Sequence, residues 1–534
     1  MIQGNDYLSE KFDSYFEKVT YADYTMRLIK TNLTGFYSVA QAASDKFGDK
    51  EFLISEEGEE LSFTGLLELV DRYAGYLKYT HNIQAEDQVG ILLMNSFEFC
   101  VSVLALNKIG ATCVLFSTKL KAQGIQALVK NVSLKLFLYD YELKSEITNE
   151  DFGELVTEEC NFSDQEFMTK ITENGKEFEP DQELDRVALL MFTSGTTGKN
   201  KRVPLKNYNV VQAILAYENA LDLSPDDSTI VATPIYYVTG LIALFGLFLK
   251  VGGKVYLRRR FHVEEIIQLI LAKNITLIHG SPVVFNLILG QRPTTPAMDS
   301  LRYFLCGSGP MSVEKINEID KWLPNVEFRT VYGLTETSSP LTIMDEAVAR
   351  SKHKGASGRP VATADVRIVG DDGTDLGAEK IGNVEVRGAT VIRSYYNNEN
   401  PELFSPGSWL KTGDIGYVSE QGYLYVLDRK KDMINVGGEK VAGSSVEDQI
   451  YALGIADEVA VVAVEDELFG EVVGAMIVYK ENQEVPVEEL QQLLSSRIPK
   501  YQIPKVILQV SEIPKNENMK LDKVKVRQIL NDYK

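Results

Sequence analysis

Cysteine and histidine are scarce in this chain, with four of each among 534 residues. Cys100, Cys113, Cys160 and Cys306 have no paired spacing, so neither a disulfide framework nor a structural zinc site is expected. Cys100 and Cys113 sit in apolar runs and read as buried thiols. His81, His262, His279 and His353 are equally scattered, which argues against a metal cluster. Long hydrophobic runs are missing as well. The longest, 238–249, falls short of the roughly 20 residues a bilayer span requires. Residues 1–17 are polar and acidic and lack the apolar centre of a signal peptide. Positive charge is in deficit, 55 Lys and Arg against 76 Asp and Glu, and the net charge of −21 makes nucleic acid and anionic membrane poor partners. A cytoplasmic enzyme fits these absences best.

What is present is an ordinary globular composition, 44% hydrophobic and 25% charged, in a chain too long for one core. Two or more domains are expected. From 52 to 115, strands alternate with amphipathic helices: helical spacing over Leu66 to Leu77, a strand at 89–93, a helix from Phe97 to Lys108 ending at Gly110, and a strand at 111–116. Such alternation implies parallel strands joined by crossover helices. The acid-rich stretch 140–185 reads as a solvated connector. Further on, a strand leads into Val231 to Pro234, an apolar helix spans 241–249 and stops at Gly252-Gly253, and strands fall at 275–278 and 303–306. From Val366 strands and turns dominate (366–369, 384–388), which suggests a smaller β-rich unit. The charge run Asp428-Arg429-Lys430-Lys431-Asp432 reads as a linker to a last unit of about a hundred residues, with a strand at 459–464, a helix at 487–494 and a lysine-rich end. No internal repeat is found.

The chain's chemistry is organised around Thr193-Ser194-Gly195-Thr196-Thr197-Gly198-Lys199. Small residues here let the backbone bend and present several N–H groups together, an arrangement that binds anionic oxygens. Apolar Val187 to Phe192 reads as a buried strand leading into it, and Lys199 and Lys201 add positive charge. The spacing is not that of the common nucleotide hydrolases, whose loop has four residues between the glycines and Ser or Thr after the lysine. Alone, the stretch reads equally well as a flexible turn.

Its companions resolve that ambiguity. Tyr332-Gly333-Leu334-Thr335-Glu336, Thr412-Gly413-Asp414, Asp428-Arg429 with Lys431 and Gly438, and Pro514 to Lys520 follow in order. With the loop they resemble the adenylate-forming superfamily of acyl-CoA and aryl-CoA ligases, luciferases and carrier-protein-loading adenylation domains, over about 49–525. The resemblance implies an α/β fold with a large N-terminal domain (1–428) of α/β subdomains plus a β-rich subdomain, a hinge at 429–432 and a small mobile α+β C-terminal domain (433–534). It implies ATP and Mg2+ as cofactors, and CoA or a carrier protein's phosphopantetheine as the thiol acceptor. Thr193 to Lys199 would cradle the phosphates, with Tyr332 and Gly333 beside the nucleotide. Thr335 would bond the adenylate phosphate, and Glu336 would hold the magnesium ion. Asp414 would accept the ribose hydroxyls with help from Arg429, and Gly307, Ser308 and Gly309 would form the adenine-side turn. Lys520 would stabilise charge building in the first step. The tail would then swing about Lys431 so that the face near Gly438 admits the thiol.

Several positions depart from the family pattern: Asn200 and Arg202 after the loop, Tyr237 for a common histidine, Gly443 and Ser445 after the hinge, and Met519 before the lysine. Tyr236, Tyr237 and Gly240 would line the acyl pocket. No acid lies between Ile235 and Gly240 to pair an α-ammonium, and burying that group unpaired is costly. An apolar or aryl carboxylic acid is therefore expected as the small-molecule substrate. The leading reading is an acid–thiol ligase forming acyl-AMP and then acyl-CoA. A stand-alone enzyme loading a carrier protein, and a non-catalytic nucleotide-binding protein on the same fold, are the alternatives. Oligomeric state is not legible.

Overall fold

The computed structural model describes residues 2–3, 15–21, 24–148, 152–194, 200–515 and 521–534. Within them the core holds two large sheets. The first has six strands in the order Asn200–Lys206, Val187–Ser194, Thr112–Leu115, Gln88–Leu92, Leu134–Tyr139, Val156–Glu159. All but the antiparallel strand Asn200–Lys206 run parallel. The second sheet has nine, and its centre, Glu327–Tyr332, Tyr303–Cys306, Leu277–Gly280, Ser228–Val231 and Lys254–Leu257, is likewise parallel. Gln88–Leu92 is buried along its whole length, the condition of a parallel strand covered by helices on both faces. The helix Phe97–Ile109 has the start and stop its sequence promised. Ser96 accepts the Phe99 N–H, and Gly110 closes the end at φ +82.

A third sheet of six strands is the β-rich unit, with Ala364–Val369, Gly382–Gly388 and Trp409–Val418 at its centre and Leu424–Arg429 paired to the last. Beyond it, the tail builds its own five-stranded sheet around Ala456–Asp466 and Gly470–Tyr479, with separate apolar clusters on its two faces. The hairpin Phe16–Tyr21 and Tyr24–Ile29 straps the core. Gln212, on the helix Asn207–Ala220, accepts the Ile29 N–H at 2.7 Å and donates to the Ile29 carbonyl at 2.9 Å. No described helix is long and apolar enough to cross a membrane.

Two expectations need correction. The stretch 140–185 is no bare connector, for it supplies the edge strand Val156–Glu159 and the helix Gln165–Asn174. Few apolar residues suffice there: Phe167 and Ile171, four apart, bury one narrow stripe while the acids face water. Next, the apolar helix begins earlier than its leucines suggest. It opens as a π-helix, Thr239–Gly246, before Leu247–Val251 ends at Gly252 with φ +85. The charge run that reads as a linker has regular structure. Asp428 and Arg429 end a strand, and Lys430–Asp432 is a 3-10 turn.

Candidate active site

In parallel α/β sheets the backbone groups and loops beyond the carboxyl ends of the strands form the ligand crevice. The candidate residues gather at such ends. Thr193 ends the strand Val187–Ser194, Gly307 follows Tyr303–Cys306, and Tyr332 closes Glu327–Tyr332. The strands on either side of the glycine loop are antiparallel neighbours, with Thr193 paired to Lys201 and Ser194 to Asn200. Its residues Gly195, Thr196, Thr197, Gly198 and Lys199 lie outside the described residues, as do Met519 and Lys520.

Asp414 is the best-anchored of the group. It is only 3% exposed, and its strand pairs it directly with Arg429. Arg429 Nε lies 2.8 Å from one carboxylate oxygen, and the Tyr332 hydroxyl donates to the other. The Thr412 hydroxyl accepts the Asp414 N–H at 3.0 Å and is itself tied to the Val384 carbonyl. Burial pushes the Asp414 carboxyl above the ordinary range, against the pull of Arg429. Burial, and then the Asp414 charge, push the Tyr332 hydroxyl well up.

Glu336 sits on the 3-10 turn Thr335–Thr337 and accepts the Tyr395 hydroxyl at 2.9 Å. Its backbone carbonyl takes the Ile392 N–H. Lys201 stands 5.3 Å over the Tyr395 ring, so the return strand of the glycine loop is brought to the acid. The charge of Glu336 bears on both Tyr395 and Asp414, which makes these groups one electrostatic cluster. Gly333 is packed closely, and a Cβ there would meet Thr337 Oγ1 at 3.1 Å. At Gly307 a Cβ would stand 3.2 Å from the Val331 carbonyl and 3.3 Å from His279. Ser308 holds φ +67 and Gly309 follows it against Pro282.

Among the residues expected at the acyl end, Tyr236 is buried and its hydroxyl accepts from Ser117 at 3.0 Å. Tyr237 is half-buried with its ring 4.6 Å from that of Tyr236. Gly240 is required there because a Cβ would fall 2.6 Å from Ile235 Cα. Buried His279 lies behind this end, 3.3 Å from the Tyr217 hydroxyl, which also contacts Ser339 at 2.8 Å. Burial lowers the His279 pKa from 6.5 to about 4. Lys431 is on the 3-10 turn, and Gly438, at φ +102, is in the turn of the tail hairpin Ile434–Val436 and Glu439–Val441.

Sequence reasoning missed Tyr395, Thr412 as a brace, Ser117 and His279. Tyr395, Ser117 and His279 act on residues distant in sequence, so no local pattern marks them, and Thr412 acts on Asp414 only once its strand is tied to the Val384 carbonyl. The residues present fit a magnesium nucleotide. The Thr193 hydroxyl is buried without a hydrogen-bond partner among the described residues. The described residues hold no cluster of three or more metal-ligating side chains. One carboxylate on the ion suits magnesium, which keeps waters and phosphate oxygens for its other positions.

Two family models match the chain: AMP-binding enzyme over residues 40–396, and AMP-binding enzyme C-terminal domain over residues 445–520. The 2-succinylbenzoate–CoA ligase of Bacillus velezensis is 31% identical over 473 residues, 87% of this chain and 92% of that protein. Among solved structures, the o-succinylbenzoate CoA synthetase of Bacillus subtilis in complex with its acyl-adenylate intermediate aligns with a TM-score of 0.80 at 27% identity, covering 93% and 99% of the two chains. The same synthetase with ATP and a magnesium ion aligns at 0.79 and 28%, covering 91% and 98%. The chain belongs to the AMP-binding enzymes, the adenylate-forming superfamily. Within that family it is an AMP-forming acid–thiol ligase that works with ATP, magnesium and CoA.

Proposed function

We propose that the acid is an aryl carboxylate, 2-succinylbenzoate or a close analogue, and that CoA rather than a carrier protein takes the acyl group. The observation that carries this reading is the acyl wall. Tyr236 and Tyr237 pack with their rings tilted against each other, Ser117 fixes the first hydroxyl, and no acid lies between Ile235 and Gly240 to receive an ammonium. A flat, apolar ring with a polar edge suits such a wall. The relatives described above act on an acid of that kind by name.

Each residue's part follows. Bound ATP and Mg2+ supply the α-phosphate as electrophile and the charge that neutralises pyrophosphate as it leaves. Thr193, Ser194 and the loop beyond them hold the phosphates, while Glu336, steadied by Tyr395, offers one carboxylate oxygen to the ion. Thr335 donates to the phosphate. Asp414, gripped by Arg429 and Tyr332, accepts the ribose hydroxyls. Lys520 places its ammonium between the carboxylate and the α-phosphate, where negative charge builds. Residues 1–428 bind, 433–534 move, and Gly438 lies on the face that later admits the thiol. The reaction belongs in the cytoplasm, where buried free thiols such as these four stay reduced.

The test is a pyrophosphate-release screen with 2-succinylbenzoate, benzoate, malonate and α-amino acids, with and without CoA or a holo-carrier protein. Release with aryl acids and acyl-CoA formation are expected. Preferential use of an amino acid, or of the carrier protein over CoA, would overturn the reading.

A further inference from the structure

Asp428 and Asp432 bracket the turn Lys430–Asp432, and one face of the last helix, Lys523–Tyr533, meets both. Lys523 Nζ lies 3.2 Å and 3.4 Å from the two Asp428 oxygens. Arg527, one helical turn on and so on the same face, lies 3.7 Å from Asp432. Asp428 also accepts the Gly443 N–H at 3.0 Å, and the Ser444 hydroxyl donates to the Leu427 carbonyl. The Lys523–Asp428 pair is shielded, with side chains 22% and 6% exposed. A pair so placed is worth more to its geometry than an exposed one.

The two pairs differ in where their members stand. Asp432 and Arg527 both lie beyond Lys431, whereas Asp428 lies before it and Lys523 after it. A rotation about Lys431 carries Arg527 and Asp432 together, but it must draw Lys523 away from Asp428. The lysine then keeps Glu447, a tail residue whose charge already acts on it. Burial pulls the Lys523 ammonium down, and Glu447 and Asp428 more than reverse this, so it stays charged.

We infer that the Lys523–Asp428 pair is a latch that holds the tail in one of two orientations and thereby sets the balance between the two half-reactions. This rests on the ligase reading above. The latched orientation is the one suited to the first half-reaction. Lys523 stands three residues from Lys520 in sequence, and Leu521 between them pairs with Lys515. Lys515 holds Glu458 at 2.8 Å, and the adjoining tail residue Lys480 reaches Glu318 at 3.5 Å on the helix Val313–Trp322 that follows 307–310. Lys523 is thus a positioning residue that touches no reactant.

The full-length chain tests it through each half-reaction alone. Lys523→Met and Asp428→Asn should lower 2-succinylbenzoate-dependent ATP–pyrophosphate exchange about tenfold, with conversion of supplied acyl-AMP by CoA changed less than about twofold. Lys523→Arg should restore the balance, and Arg527→Met should leave it as in the wild type. Equal falls in both half-reactions, or an equal shift from Arg527→Met, would overturn the latch. Spin labels on Glu346→Cys of the core and Glu481→Cys of the tail report orientation directly, since the four native cysteines are buried. One interlabel distance that becomes two in Lys523→Met, but not in Arg527→Met, is the expected result; an unchanged distribution refutes it. The labels need no substrate. A wild type that activates no acid therefore defeats the ligase reading, and the distances still decide the latch.

Discussion

Two aspartates fourteen residues apart in the chain hold cations in opposite ways. Asp414 faces Arg429 across paired strands of one sheet, and Tyr332 closes the other side. Every partner stands before Lys431 on strands of the six- and nine-stranded sheets, so the group is set before any ligand arrives. Asp428, next to Arg429 in sequence, reaches instead to Lys523 on the tail. A nucleotide site gains from rigidity, because preorganised charge costs no reorganisation when the reaction begins. The tail gains from a contact it can give up. On the proposed reading adjacent residues serve binding and timing, and the difference lies in which side of Lys431 the partner stands on.

The sharpest way to break that division is at the tail's own lysine. Lys520→Ala should lower acid-dependent pyrophosphate exchange about a thousandfold, the cost of one transition-state donor, while sparing thiol transfer from supplied acyl-AMP. Normal exchange in this variant would move the first step to another cation. The core's permanence has its own electrostatic signature. His279 titrates at about 4 when folded and near 6.5 when unfolded, so the unfolded chain binds more protons between those values. Stability from this group is therefore full above pH 6.5 and falls toward pH 4, by about 3 kcal/mol in all. Urea unfolding across that window should show a shallower pH slope in His279→Asn; an unchanged slope would remove His279 from the account. Asp414→Asn comes next. It leaves the shape but removes the charge facing Arg429, and KM for ATP should rise about tenfold with little change in KM for the acid. An unaltered KM for ATP would place the ribose elsewhere.

The family and the α/β fold were legible in the chain because its signatures are short, contiguous stretches. The alternation over 52–115 and the helix stop at Gly110 follow from local chemistry, and both appear as expected. What was hidden is contact at long range. Nothing around Tyr395 announces that it bonds Glu336, 59 residues before it. Nor does the acid-rich stretch 140–185 announce its helix, whose apolar stripe is only Phe167 and Ile171 deep. The run 428–432 reads as linker because charge usually means solvent. Here opposite charges from the last helix fold it. Composition cannot tell a solvated charge from a paired one.

The smallest effect separates a rigid acid from a merely present one. Glu336 Oε1 takes the Tyr395 hydroxyl at 2.9 Å, and that bond fixes the carboxylate rotamer so that the second oxygen keeps one direction. Tyr395 is buried, and Phe fits its space, so Tyr395→Phe removes the bond with little change in packing. A hydrogen bond to a charged group contributes about 1.5 kcal/mol or somewhat more, and part of that returns when the freed carboxylate is hydrated. The half-saturating magnesium concentration in the first half-reaction should therefore rise about three- to fivefold, with the KM for acid unchanged. A magnesium titration on the variant measures this directly. An unshifted curve would mean that Glu336 is aimed by its backbone alone, through the bond from Ile392 to its carbonyl. The core end of the comparison would then owe its order to the strand ends and not to its side chains.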